Sequence, residues 1–325
     1  MLTRRRFVAA SAGALAVTAS PFSAAAQAID RPARIIVGFQ AGGSLDTIAR
    51  VLADQMKDYA PSVIVENKPG AAGRIALEAV RASAGDGTTM ILTPASPLVL
   101  YPHIYKKLAY DSLADFAPVT SVGAVGYDIA VGPKVPATVA TLADFITWGK
   151  ANPKDAAFGS PGAGTGHHFV GVMFARAAGL DMVHVPYRGA APAIQDVLAG
   201  QIASNISVGA HIPLHKDGKL RILATSGRQR APALPDVPTF IESGLTIEAS
   251  DWFGVVAPAG TPAAAVARLN SAVRAAIASK PMQDVLQRLG NTPRGETPEE
   301  FVALIKRDLA NWGAIVKAAG FTAEE

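Results

Sequence analysis

The stretch Arg34-Ile35-Ile36-Val37-Gly38-Phe39-Gln40-Ala41-Gly42-Gly43-Ser44-Leu45-Asp46-Thr47-Ile48-Ala49-Arg50 constrains this chain most. A β-branched apolar run at 34–37 is what a buried parallel strand requires. Gly42-Gly43 lets the backbone turn sharply and approach a ligand closely. Ser44 is the expected N-cap of the next helix, with Asp46 in its first turn. Leu45, Ile48, Ala49, Leu52 and Met56 follow helical spacing and form one core-facing stripe. The unit reads as strand, glycine loop and helix. Free N–H groups at such a helix start favour an anion; the same spacing also serves a tight β-α turn that binds nothing.

Strands expected at 34–39, 62–66 and 88–93 alternate with helices at 45–58 and 73–83, which implies a parallel α/β sheet. Ligands sit outside the C-terminal strand ends of such sheets. The loop at 41–43, Asn67 to Gly73 and Thr93 to Pro97 all fall there, with Asn67 to Gly73 favoured as a scaffold turn. Residues 100–120 read as irregular. Asp128 to Val131 reads as a strand crossing into a second domain, and Ile247 to Val256 as the return, with Trp252 and Phe253 on opposite faces. Helices follow at 263–278, 281–289 and 299–319, and Trp312 reads as core.

A second unit repeats the first. Ala156-Ala157-Phe158-Gly159 runs into Ser160-Pro161-Gly162-Ala163-Gly164-Thr165-Gly166-His167-His168 and then a helix from about Phe169. Its glycine spacing fails the dinucleotide pattern, because His167 stands where the third glycine belongs. It also fails the hydrolase elbow, because Gly159 directly precedes Ser160. His167 and His168 are adjacent, so they do not share a helix face as metal ligands would. His168 either donates a hydrogen bond in a polar cleft or caps the helix. After the strand Val183 to Pro186, Arg188 offers a planar fork suited to a carboxylate, or serves as a solvated surface charge.

Five stretches resemble, in order, the tripartite tricarboxylate transporter receptor (Bug) family of periplasmic solute-binding proteins. Besides the first glycine loop they are Val65-Glu66-Asn67-Lys68-Pro69-Gly70-Ala71-Ala72-Gly73, Asp86-Gly87-Thr88-Thr89-Met90, Gly159-Ser160-Pro161-Gly162 and Val185-Pro186-Tyr187-Arg188-Gly189, with a tail at Asp251-Trp252-Phe253-Gly254. The resemblance implies an α/β fold: a two-domain periplasmic binding protein of venus-flytrap, type II-like form with two crossover strands. Domain one is expected at 29–130 and 250–325, domain two at 131–249. It implies capture of a small organic carboxylate for the membrane permease of a tripartite carrier, by a monomer with no cofactor. The expected ligand residues are Phe39, Gly42, Gly43, Ser44, Asp46, Ser96, Ser160, Gly162, Thr165, Gly166, His168, Arg188, Gly189 and Ser207. The family usually carries Lys at 188 and often an acid near 207. Neutral Ser207 therefore argues against a ligand bearing an ammonium group. The rivals are a periplasmic sensor that docks a signalling partner and an exported enzyme of the same shape.

Met1 to Ala28 reads as an export signal: Arg4-Arg5-Arg6, a short apolar run, then Ala26-Gln27-Ala28 as cleavage site. Thr3-Arg4-Arg5-Arg6-Phe7-Val8 resembles a twin-arginine signal. The apolar run is too short to span a bilayer. The leader contributes three of the 30 basic residues and none of the 26 acidic ones, so the charge falls from +4 to +1 without it (27 − 26). No basic stripe with interleaved aromatics points to nucleic acid. The chain has no cysteine, hence no disulfide and no lipid-anchoring site.

Overall fold

A computed structural model of the chain describes residues 29–319; the export-signal reading falls on Met1 to Ala28, outside the described residues. Eleven strands among the described residues form two sheets. The first contains β1 (Ala33–Val37), β2 (Val63–Asn67), β3 (Thr89–Pro94), β4 (Phe116–Gly126), β10 (Ser250–Pro258) and β11 (Thr292–Pro293), in the order β11-β4-β10-β3-β1-β2. The second contains β5 (Asp128–Val131), β6 (Ala157–Ser160), β7 (Val183–Pro186), β8 (Ser204–Ser207) and β9 (Arg221–Thr225), in the order β7-β6-β8-β5-β9. β1 is parallel to both neighbours and β6 is parallel to β7 and β8, as the β-α alternation requires.

Both faces of the first sheet are covered. The helices α1 (Ser44–Gln55), α9 (Ala263–Ala278) and α10 (Lys280–Arg288) bury Leu45, Ile48, Leu52, Leu269, Val273 and Leu286 with Phe253 on one face. On the other, α2 (Arg74–Arg81), the one-turn helices α3 (Ser96–Val99) and α4 (Tyr101–Ile104), and α11 (Pro298–Ala319) enclose Leu77, Tyr101, Phe301 and Trp312 with Trp252. Trp252 and Phe253 therefore serve opposite cores, as alternation demands. The second sheet packs against α5 (Leu142–Ala151) and α6 (Gly166–Ala178) through Phe145, Phe158, Phe174 and Phe240. The helices α7 (Ala190–Leu198) and α8 (Ile212–Lys216) complete this lobe.

The chain changes sheet twice, giving two crossing segments. The first lies at Tyr127, between β4 and β5, and the second between β9 and β10. Ser226 stitches them together. Its hydroxyl accepts from the Tyr127 N–H at 2.8 Å and donates to the Ala249 carbonyl at 2.6 Å. Its own N–H donates to the Tyr127 carbonyl at 2.7 Å. The stretch expected to be irregular holds β4, the main partner of β10 over nine residue pairs from Ser250↔Gly126 to Pro258↔Phe116.

Candidate functional site

The β1–α1 loop is held from within. Gly42 adopts φ +85°, a left-handed conformation that suits glycine. Gly43, at φ −76° and ψ 171°, is the N-cap of α1, and it offers no side chain to the helix. This corrects Ser44 as the cap: Ser44 is the first helical residue. The N–H groups of Ser44 and Leu45 have no acceptor among the described residues. Asp46 is only 3% exposed. Its carboxylate accepts from the Gly42 N–H at 2.9 Å, the Asn67 amide at 2.9 Å and Arg50 at 3.0 Å. Burial pushes this carboxyl up, but the bonds from Arg50, Gly42 and Asn67 outweigh burial and hold it below the usual range. Asn67 also donates to the Phe39 carbonyl at 3.2 Å, so its loop acts as scaffold. Phe39 is half-buried and packs against the core under α1.

In the second lobe, β6 delivers Ser160 to the sheet edge, fully buried. Its hydroxyl donates to the Gly162 carbonyl at 3.0 Å and lies 2.7 Å from Nε2 of His184 on β7. Ser160 and His184 are thus hydrogen-bonded to each other across β6 and β7. Thr165 caps α6 by accepting from the His168 N–H at 3.3 Å and donates to the Gly162 carbonyl at 2.8 Å. The Gly164 N–H donates to Nδ1 of His168 at 3.3 Å. The His168 ring stacks on His184 with centroids 3.9 Å apart, and His184 stacks on Phe158 at 4.9 Å. His168 is thus a packed acceptor rather than a cap. His167 turns away and meets Tyr127 edge-on at 5.1 Å. Burial pushes the His167 imidazole down to about 3, His168 to about 4 and His184 to about 3, with a neighbouring histidine adding to the first and last.

These shifts predict a pH dependence. The three histidines are neutral when folded but take up protons near 6.5 when unfolded. Between about pH 6.5 and 4 the unfolded chain therefore binds more protons, and stability falls as pH falls. Burial pushes Asp251 up to about 7 against the N–H bonds it accepts from Ala95 and Trp252, which contributes the opposite slope over the same window. Three groups outweigh one, so the melting temperature should decline from pH 6.5 to 4. His168→Gln with His184→Asn should flatten that decline, and an unchanged slope would refute the assignment.

The two lobes meet where Ser96, at the end of β3, accepts from the Gly166 N–H at 3.3 Å. Tyr127 lies beneath, and a Cβ on Gly166 would stand 2.0 Å from its hydroxyl. Phe39, Gly42 and Gly43 therefore lie in a strand-end loop of the first lobe, with Ser44 and Ser96 at the helix starts that follow strand ends; in the second, Gly162, Thr165, Arg188 and Gly189 lie in strand-end loops, Ser160 ends β6, and Gly166 and His168 open α6. Arg188 is exposed and has no ion pair among the described residues. Asp46 and Ser207 are buried. Asp46 positions its loop, and Ser207 pairs with Asp128 inside the second sheet. The sequence reading missed Tyr127, Asp251 and His184; only the strand register of β6 and β7 brings His184 to Ser160. No group of His, Cys, Asp or Glu among the described residues could hold a metal.

Two α/β lobes, joined by two crossing segments with strand-end loops meeting between them, define a two-lobed solute-binding protein. The chain matches the tripartite tricarboxylate transporter family receptor over residues 48–321, and it belongs to that family. It is 33% identical over 318 residues to protein BugT of Bordetella pertussis, covering 97% of this chain and 95% of that one. Among solved structures it resembles R. palustris Rpa4515 with adipate at 30% identity and a TM-score of 0.84, covering 90% of this chain and 98% of that one. It also resembles MatC from Rhodopseudomonas palustris with bound malate at 27% identity and a TM-score of 0.79, covering 88% and 99%. No helix among the described residues is long and apolar enough to cross a membrane.

Proposed function

We propose that the protein captures a small organic carboxylate between its lobes in the periplasm and hands it to the membrane subunits of a tripartite carrier. The observation that carries this reading is the start of α1, where Gly43 supplies no cap and the N–H groups of Ser44 and Leu45 lack an acceptor. A carboxylate fits that position without needing a cationic site. Family relatives hold adipate and malate, two dicarboxylates. The second loop contributes less backbone than its sequence promises. The N–H groups of Gly162, Gly164 and Gly166 are already bonded to Ser160, His168 and Ser96. Arg188 is then the counter-charge, and closure about the crossing segments would dehydrate the anion and strengthen its hydrogen bonds.

Calorimetry with adipate, malate, citrate and their amino-substituted analogues tests the reading. A carboxylate should bind and its amino-substituted analogue should bind more weakly; no binding across the panel overturns it. Because Arg188 is exposed, Arg188→Ala should weaken that carboxylate by about 1 kcal/mol, the upper range for a solvated charge pair. Unchanged affinity would leave Arg188 as a surface charge.

A further inference from the structure

A cavity of about 980 Å³ lies between the lobes on the far side of the crossing segments from the loops described above. Alternation fixes the side. Gly126 and Asp128 line the cavity, while Tyr127 between them faces His167. Ser250 lines it, while Asp251 next to it bonds Ala95. Four arginines border it, Arg228 and Arg230 from the segment after β9, Arg294 after β11, and Arg307 on α11. Arg230 is paired with Glu242, and Arg307 with Asp308. Arg228 and Arg294 have no ion pair among the described residues, and they belong to different lobes. Of the acids lining the space, Asp128 is bonded to His211 and Asp308 to Arg307 and Trp252. Glu248 alone of these is unpaired among the described residues, one acid against two cations. Thr225, a residue 4% exposed, is among the lining residues, and its hydroxyl, buried beneath the cavity wall, has no partner among the described residues. A buried hydroxyl without a partner costs stability unless water or a ligand satisfies it.

We propose that this cavity is a second anion site, in which a small multivalent oxyanion is held between Arg228 of one lobe and Arg294 of the other. Guanidinium forks suit carboxylate and phosphate oxygens alike. An anion bonded to both lobes ties them at the back of the hinge, so its occupancy biases the angle between them and couples to the front cleft reciprocally. The site does not depend on which ligand the cleft takes.

Titration with inorganic pyrophosphate, and separately with citrate, at fixed ionic strength tests the proposal through tryptophan fluorescence. Trp312 lines the cavity and its ring centroid lies 6.2 Å from that of Phe169 of the other lobe, so it is the expected reporter. A saturable change that disappears in Trp312→Phe is the expected result. Arg228→Ala with Arg294→Ala should weaken it at least tenfold. Gly43→Val, which alters only the front cleft, should leave it intact. Tighter pyrophosphate than citrate assigns the site to phosphates, and the reverse order to carboxylates. Three results overturn the proposal: no saturation with either anion, an undiminished affinity in the double arginine variant, or loss of the signal in Gly43→Val.

Discussion

Gly209→Ala should lower stability by about 2–5 kcal/mol and push the lobes apart. Gly209 follows β8 at φ +70°. A Cβ there would stand 2.0 Å from the Leu289 carbonyl oxygen of the other lobe, and that oxygen belongs to backbone that cannot swing aside. The left-handed conformation alone costs a non-glycine residue about 1–2 kcal/mol. Overpacking against fixed atoms adds about 1–3 kcal/mol. Gly218→Ala separates the two effects. Gly218 has φ +69°, and its Cβ would meet nothing within 4 Å, so this variant should show the conformational cost alone. Denaturant midpoints compare the two, and small-angle scattering reads the spacing of the lobes. Gly209→Ala should expand the particle while Gly218→Ala should not. Equal destabilisation and equal size in both variants would mean that the lobes do not brace on this contact.

How much of this was legible in the sequence depends on the distance over which each feature is decided. Helices with a continuous apolar stripe were readable to within a few residues: α9, α10 and the stripe of α1 are examples. β4 was not. Its sequence Phe116-Ala117-Pro118-Val119-Thr120-Ser121-Val122-Gly123-Ala124-Val125-Gly126 carries a proline and two glycines, and a proline argues against a central strand. The structure accommodates Pro118 at a register shift between Val255 and Val256 of its partner β10. The strand is buried on both sides, so it shows no alternation to detect. In the site, the glycine loops announced themselves through composition. The role of Asp46 did not, because a first-turn acid reads as a partner of the helix dipole. Its carboxylate faces back into its own loop and joins Gly42, Asn67 and Arg50. Ser160 and His184 stand 24 positions apart, and no local pattern states that β6 and β7 are neighbours in register.

Gly43→Val should weaken carboxylate binding by about a hundredfold, near 2.8 kcal/mol, and Gly162→Val by a smaller factor, both leaving the fold intact. The structure makes these two glycines unusually clean probes. Gly43 lies in extended backbone that valine readily adopts, and its Cβ would come no closer than 3.6 Å to the Gln40 carbonyl oxygen. A Cβ on Gly162 would sit 3.5 Å from the Thr165 methyl and 3.9 Å from the Tyr187 carbonyl oxygen, ordinary contact distances. Neither substitution should therefore move stability by more than about 0.5 kcal/mol. What each does is cover a loop with methyl groups. On Gly43 they shield the Ser44 and Leu45 N–H groups and hold an anion away from them. On Gly162 they stand over the loop beside Arg188. The losses should also couple. Each loop alone holds the anion in a wet half-site, and only closure strengthens the bonds from both sides. Gly43→Val should thus abolish ligand-induced compaction in small-angle scattering, although it leaves the second lobe untouched. Calorimetry supplies the affinities, and thermal denaturation confirms the intact fold. If both variants bind and compact like the parent, the carboxylate does not use the start of α1, and the cleft must be sought elsewhere between the lobes.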